Sequence, residues 1–459
     1  MNSSIEIHVL KFGGTSMNDH QTWKKVLEII SEYEYPIVVV SATARTTRQL
    51  VQAGKLASSG DLEDALKISN EISVRHKAIV HSFLEENPSD RKDLIWESCI
   101  KKVDEKVHKL NKLLSYAAKE GALSPQMNDA IMSIGEQISS YLLAQCGLAA
   151  GLLTQHVDAR KLIMTDNRYG NANPNLMLIN QKCGSLETMM EDGFTPVIGG
   201  FYGESAEGNI STLGFEGSDY TASLIGAAVH AKTIEIWTDV SGVYTSDPRY
   251  IPDARPLEEL SYFDATEMAY FGAKVLHPST LKPAQERNIP VSVKNMFKPE
   301  EPGTRIIRDS KGDPEVLAMA FKPGITILTI SAYETLMGYD FLTRVFEVLK
   351  KYRLPVDAVN TTEASVTIAL SNSEILDRIS NDFIEIGTVQ IISDKGLISL
   401  IGCRISEAAE ISKKVLNSLN GQSIDLISFS KEKRILNLVL DEDKLVESAQ
   451  KIHEKIFNT

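Results

Sequence analysis

The sequence predicts a layered α/β domain followed by two small split-βαβ modules, and three observations carry that prediction. Short β-rich runs alternate with helical patterns through the first two-thirds of the 459 residues. The stretch Pro299-Glu300-Glu301-Pro302-Gly303 then interrupts the pattern with linker chemistry. Beyond it, two units of similar size each read strand, helix, strand, strand. A chain this long exceeds what one hydrophobic core usually supports. The expected division is 1–298 and 299–459, with modules at about 315–392 and 393–459 that are sequential or interleaved.

Each element has its own signal. Residues 7–12 read as a strand that Gly13-Gly14 breaks, and 19–33 as the helix that follows. Residues 36–41 form an apolar run of the kind buried on both faces of a parallel sheet. Apolar residues at three- and four-residue spacing make 61–148 a long helical region. Strand patterns return at 196–200, 233–238 and 290–293, separated by helical patterns at 218–230, 264–272 and 279–287. In the modules, strands are expected at 325–330, 356–359 and 365–370, then at 396–401, 424–428 and 435–439. Their helices fall at 341–352 and 407–419, and a last helix covers 442–457.

Composition narrows the function. Lys and Arg number 48 against 61 Asp and Glu, a net charge of −13. No basic surplus exists to neutralise a nucleic-acid backbone, so nucleic acid is excluded as a partner. The four cysteines, Cys99, Cys146, Cys183 and Cys403, form no CxxC pair, so neither a zinc site nor a disulfide framework is indicated. No apolar run is long enough to span a membrane, and no signal peptide opens the chain, so a cytoplasmic protein is expected.

Four constellations carry candidate chemistry. In Lys11-Phe12-Gly13-Gly14-Thr15-Ser16 a strand ends in a lysine, and the glycines let backbone N–H groups turn toward an anion. Taken alone, such a turn is more often only a turn. In Gly214-Phe215-Glu216-Gly217-Ser218-Asp219, glycines precede a helix start that either faces a negative charge or is plainly capped by Ser218. Trp237-Thr238-Asp239 runs on to Tyr244 and Arg249 through polar turns, either lining a site or forming a structural hairpin. Phe271-Gly272-Ala273-Lys274 offers a lysine that reaches a nucleotide or simply caps a helix end.

In this order, the four together resemble the aspartokinases along essentially the whole chain, in their single-function, lysine-pathway form. The resemblance implies an amino-acid kinase αβα sandwich followed by two ferredoxin-like ACT modules. It implies transfer of the γ-phosphoryl of ATP to L-aspartate, with Mg²⁺, as the first step toward lysine, threonine and methionine. Lys11 would bridge the transferring group and Asp219 would orient the reactants, with Gly13, Gly14 and Ser16 cradling phosphate. Thr47, Glu136 and Ser218 would hold the amino acid, Glu136 pairing with its ammonium. Thr238, Asp239, Tyr244, Arg249 and Lys274 would line the ATP site. No metal is expected to be held by protein ligands alone. An amino-acid effector would meet the first module at Gly338, Asp340, Phe341, Leu342, Val356, Asp357, Thr362 and Glu363. A homodimer or higher homo-oligomer is implied as well.

Two departures from the family pattern stand out. Phe215 occupies the position of an arginine that grips a substrate carboxylate in relatives, and losing such a partner costs about 2–5 kcal/mol of binding. Arg45 and Arg48 stand beside Thr47 where relatives carry Gly and Asn, so either one of them replaces the missing guanidinium or both are surface arginines on a loop. Asp340 stands where relatives have glycine, which predicts weak or altered inhibition by lysine. Phe215 keeps a second reading open, a kinase for another amino-acid carboxylate in a specialised pathway. A weakly catalytic ACT-type sensor is the third, and the joint presence of Lys11, Glu136, Asp219, Asp239 and Lys274 opposes it.

Overall fold

The computed structural model describes residues 5–271, 276, 278–310, 316–333, 338–352, 354, 356–371, 376–402, 409–430 and 434–457. Lys274, His277 and Cys403 therefore lie outside the described residues, and at Gly338 only the backbone is described. The chain forms two compact units. The first comprises Met1–Val243, Glu258–Tyr262 and Leu276–Ser310, and the second Tyr244–Leu257, Phe263–Val275 and Lys311–Thr459.

The first unit opens with β1 (His8–Phe12), α1 (His20–Ser31), β2 (Pro36–Val40) and α2 (Thr46–Ser58). The long helical region resolves into α3 (Leu62–Glu86), α4 (Lys92–Glu120), α5 (Pro125–Met132) and α6 (Ile134–Ala149). There follow β3 (Thr154–Val157), β4 (Met164–Thr165), α7 (Leu176–Glu191), β5 (Thr195–Gly199), β6 (Tyr202–Ser205) and β7 (Ile210–Thr212). Next come α8 (Gly217–Ala228), β8 (Thr233–Thr238), β9 (Glu259–Ser261), then α9 (Tyr262–Phe271), which apart from Tyr262 belongs to the second unit, and back in the first α10 (Pro278–Arg287), β10 (Val291–Asn295) and β11 (Thr304–Ile307).

Eight strands make one sheet in the order β3-β5-β2-β1-β8-β10-β11-β9. Every neighbouring pair is parallel except β10 with β11. All five residues of β2 are buried, as a central strand covered on both faces requires. Alternation then sorts the side chains. Leu10, Phe12, Val38 and Val40 join one core with Trp23 of α1, Phe83 of α3, Leu110 of α4 and Ile138 of α6. Val9 points the other way, toward Gly226 of α8. The result is helix, sheet, helix. The sheet continues through β11, past the linker-like stretch at 299–303, because Thr304, Arg305 and Ile306 pair with β10.

The second unit is built on β12 (Ala318–Ala332), α11 (Gly338–Lys351), β13 (Ala358–Thr361), β14 (Ser365–Leu370), α12 (Leu376–Ile384), β15 (Gly387–Ile401), α13 (Ala409–Ser418), β16 (Leu426–Ser430), β17 (Ile435–Asp441) and α14 (Leu445–Phe457). One antiparallel sheet runs β13-β14-β12-β15-β17-β16. Two α+β modules share its two central strands, β12 and β15, each 15 residues long. Register shifts between Lys322 and Ile327 separate the halves. Leu328, Phe341, Val345 and Phe383 fill one module core, and Ile398, Val415, Leu438 and Ile452 the other.

Tyr244–Leu257 belongs to this second unit. Ile251 enters the second module's core, the Met319 N–H donates to the Thr245 carbonyl at 2.7 Å, and Thr245 Oγ1 meets His453 Nε2 at 3.0 Å.

Candidate active site

The C-terminal ends of β1 and β8 meet where the strand order reverses, β1 leading to β2 on one side and β8 to β10 on the other, the place where open α/β sheets bind ligands, and the end of β2 lies alongside. Lys11 is the penultimate residue of β1 and only 7% exposed. Its Nζ lies 2.8 Å from Asp219 Oδ1, an ion pair without an aligned hydrogen bond. Asp219 sits in the first turn of α8, where a carboxylate is favoured by the helix dipole. The turn after β1 is tied to β8, since Gly13 N–H and Ser16 Oγ both donate to the Trp237 carbonyl at 3.3 Å. A Cβ on Gly13 would stand 3.6 Å from Lys11 Nζ, so this backbone passes directly beside the ammonium.

A cleft of about 440 Å³ opens among the three loops. Thr15 and Asn18 line it from the β1 loop, Ala44 from the β2 loop, and Asp239 from the β8 loop. Lys25 reaches it from α1 and stacks over Phe297, 4.9 Å from the ring centre.

The neighbouring recess is built around Glu136, in the first turn of α6 and 3% exposed. Its Oε1 accepts from the Ala42 N–H at 3.1 Å, and Oε2 is buried with no partner. Burial pushes this carboxyl up to about 8. Close backbone approach makes the recess. A Cβ on Gly135 would meet Ala42 Cβ at 2.7 Å and Thr46 Cγ2 at 3.1 Å. One on Gly200 would meet the Ser218 Cα at 2.7 Å, so the start of α8 rests on the end of β5. Three helix starts, those of α2, α6 and α8, are gathered here by residues too small to hold them apart.

The structure thus brings Lys11, Gly13, Gly14, Ser16, Glu136, Ser218, Asp219, Thr238 and Asp239 to one edge of the sheet. Thr47 is half-buried in the first turn of α2, and Arg45 and Arg48 are exposed around it. Phe215 is 78% exposed on the loop before α8. Tyr244 and Arg249 lie in the segment held by the second unit. Tyr244 bridges to Pro256, and Arg249 donates from Nε and from Nη2 to the Asp247 carboxylate at 3.0 and 2.6 Å.

In the first module, Phe341 is fully buried and Asp340 is exposed in the first turn of α11. Leu342 and Val356 pack partly against the same core as Phe341. Thr362 closes a turn with Ser365, beside exposed Glu363. The Asp357 side chain is 8% exposed, and Oδ1 accepts from Lys322 Nζ at 2.9 Å.

Two residues escaped sequence reasoning. Asp129, fully buried, accepts from the Gly170 and Thr212 N–H groups and so fixes the strand that leads into Gly214. Arg75 of α3 donates to Thr46 Oγ1 at 2.8 Å. Both stand in helical patterns where a charge normally marks a solvated face, so no local signal points to them.

Comparison with known proteins identifies the class first. Residues 6–295 match the amino acid kinase family. The chain is 31% identical to the lysine-sensitive aspartokinase 3 of Escherichia coli (strain K12), across 98% of this chain and 99% of that one. It is 32% identical to the chloroplastic aspartokinase 3 of Arabidopsis thaliana, across 98% and 82%. The crystal structure of E. coli aspartokinase III in complex with aspartate and ADP aligns with a TM-score of 0.84 at 30% identity, over 98% of this chain and 100% of the other. The same enzyme in complex with lysine and aspartate aligns at 0.82. The chain belongs to the aspartokinases.

Proposed function

We propose that this aspartokinase moves the γ-phosphoryl of ATP onto the β-carboxylate of L-aspartate at the ends of β1, β2 and β8. The Lys11–Asp219 pair beside the glycine turn carries this proposal. A carboxylate with an ordinary pKa near 4 is already ionised at neutral pH, so the nucleophile needs no general base. The reaction instead demands alignment and cancellation of charge on the equatorial phosphoryl oxygens. Lys11 swings its ammonium from Asp219 onto the transferring group, and the Gly13-Gly14 backbone and the start of α8 at Ser218 add N–H donors. Asp219, relieved of part of its pairing, holds the lysine on line. Thr238 and Asp239 border the nucleotide in the cleft, whose volume is within the range of small-molecule sites. Glu136 receives the α-ammonium, which supplies the partner its buried Oε2 lacks.

Mg²⁺ fits this site as a companion of the nucleotide. Among the described residues no group of three His, Cys, Asp or Glu could hold a metal ion alone. The carboxylates of Asp219 and Asp239 are hard oxygen donors that would complete a shell supplied mainly by phosphate and water. There the ion would neutralise phosphate charge. Tyr244, Arg249 and Lys274 are assigned to the nucleotide by family likeness alone.

Phe215 cannot grip a carboxylate, so that task falls to the cationic start of α2, where Arg45 and Arg48 stand. The two modules of the second unit, built on the strands from β12 onward, form the regulatory region. Asp357 is already engaged by Lys322, so lysine is expected to bind there weakly. Exposed Ile391, Ile427 and Phe429 on the module strands favour a homo-oligomer built through this sheet. The protein acts in the cytoplasm, ahead of lysine, threonine and methionine synthesis. An ATP/Mg²⁺ turnover assay with hydroxylamine trapping, run on a panel of amino acids, tests the activity. Aspartate should yield a hydroxamate and glutamate none; product from another acid alone would refute it.

A further inference from the structure

α2 begins with an unusual accumulation of positive charge. A helix N-terminus already carries partial positive charge, and stability favours acids there. The first turn of α2 contains none. Instead Arg45 occupies the N-cap position in a left-handed conformation (φ 70°), which costs energy for a non-glycine residue. Arg75 comes in from α3, its guanidinium on Thr46 Oγ1 at 2.8 Å. Its Nε is buried without a partner. Burial first, and the Arg45 charge second, hold the Arg75 pKa below the usual arginine value, with Glu71 the one acid acting against them. Two guanidiniums and a helix start therefore crowd together with donors to spare.

What they face is set by a second chain of contacts. Thr46, which receives the Arg75 bond, packs its methyl against Gly135, one residue before Glu136. Ala42, three residues before Arg45, donates to Glu136 Oε1. The loop between them is pinned by the preceding side chain pair as well, for Thr43 Oγ1 bonds His76 Nε2 at 2.9 Å while His76 Nδ1 bonds the Ile72 carbonyl. The cations thus border the recess in which Glu136 Oε2 waits unpartnered. In an amino acid the ammonium and α-carboxylate are bonded to one carbon. A recess whose carboxylate takes the ammonium must offer cations a few ångströms away for the α-carboxylate.

We infer that Arg75, assisted by Arg45 and the start of α2, binds the α-carboxylate of the substrate and makes this enzyme select α-amino acids. It rests on Glu136 receiving the substrate ammonium. The β-carboxylate is then left to face Lys11. Arg75 is a fixed element, anchored on Thr46, whereas Arg45 is exposed and closes over the ligand from the loop.

The test crosses a change in the protein with a change in the ligand. Wild type, Arg75→Gln and Arg75→Lys are assayed by hydroxamate formation on L-aspartate and on its α-carboxamide, isoasparagine. Wild type should prefer aspartate in kcat/KM by about 30-fold or more, the worth of a buried charge pair. In Arg75→Gln the aspartate KM should rise about as much, with the ATP KM unchanged and the preference over isoasparagine nearly gone. Arg75→Lys should recover part of it. An unchanged aspartate KM in Arg75→Gln would overturn the inference, as would equal losses on both ligands, the mark of a merely structural role. Wild type that makes no aspartyl hydroxamate would refute the activity itself and this inference with it.

Discussion

Two lysine–aspartate pairs of nearly equal length have opposite prospects. In the catalytic unit Lys11 meets Asp219 at 2.8 Å, and in the first module Lys322 meets Asp357 at 2.9 Å. Lys322 Nζ also donates to Ser371 Oγ at 2.8 Å, so the pair is locked by a third group. Lys11 has the bare Gly13 backbone beside it and an imperfectly aligned carboxylate. A cation held loosely by one acid can shift onto an arriving phosphate more readily than one that donates to two partners. The same two residue types serve reaction in one place and closure in the other, and the third neighbour decides which.

The sharpest way to break that contrast is to remove each lysine's charge. Lys11→Met should lower kcat at least about 10³-fold with the fold intact, since it deletes a preorganised charge at the phosphoryl group. Lys322→Met should leave kcat within about twofold. Equal effects on turnover would end the distinction.

Glu136→Gln should cost about 100-fold in aspartate kcat/KM with little change in the ATP KM, by removing one charge from a buried pair. Gly200→Ala pushes a methyl onto the Ser218 backbone and should destabilise by about 1–3 kcal/mol. A parallel drop in kcat of roughly tenfold is expected from the displaced start of α8.

The pH dependence follows from Glu136, whose carboxyl stands near 8 in the fold against an ordinary 4.5. Below pH 8 the free enzyme holds it protonated, and protons compete with the aspartate ammonium. Aspartate kcat/KM should therefore rise about fivefold from pH 7 to 8, and Glu136→Gln should abolish the rise. The stability effect has the opposite sign. The unfolded chain releases this proton near pH 4.5 and the fold only near 8, so the unliganded protein should lose stability as pH climbs between those values.

The smallest effect belongs to the module. Lys322→Met leaves the Asp357 carboxylate enclosed and unpaired, a costly state that an added ammonium relieves. Free L-lysine should raise the melting temperature of this variant by about 2–4 °C more than that of wild type. No difference would separate Asp357 from lysine binding.

Much of this was legible in the residues. The apolar run at 36–41 announces a strand buried on both faces, and Lys11 with two glycines announces the turn that ends β1. The paired modules follow from two repeats of one pattern. Their sharing of β12 and β15 does not, because register across a sheet is a long-range property and each strand half looks complete alone. Arg75 and Asp129 were invisible for the same reason: a helical charge reveals its partner only when the chain has folded. Arg249 shows a pairing that sequence spacing leaves open, since its guanidinium bonds Asp247 two residues earlier in the unliganded fold.

A crystal structure with a non-hydrolysable ATP analogue and L-aspartate tests the central claim most directly. The γ-phosphate should lie within hydrogen-bond reach of Lys11 Nζ and the Gly13-Gly14 backbone, with the aspartate ammonium on Glu136 Oε2. Nucleotide bound away from the ends of β1 and β8, or aspartate bound away from Glu136, would contradict it.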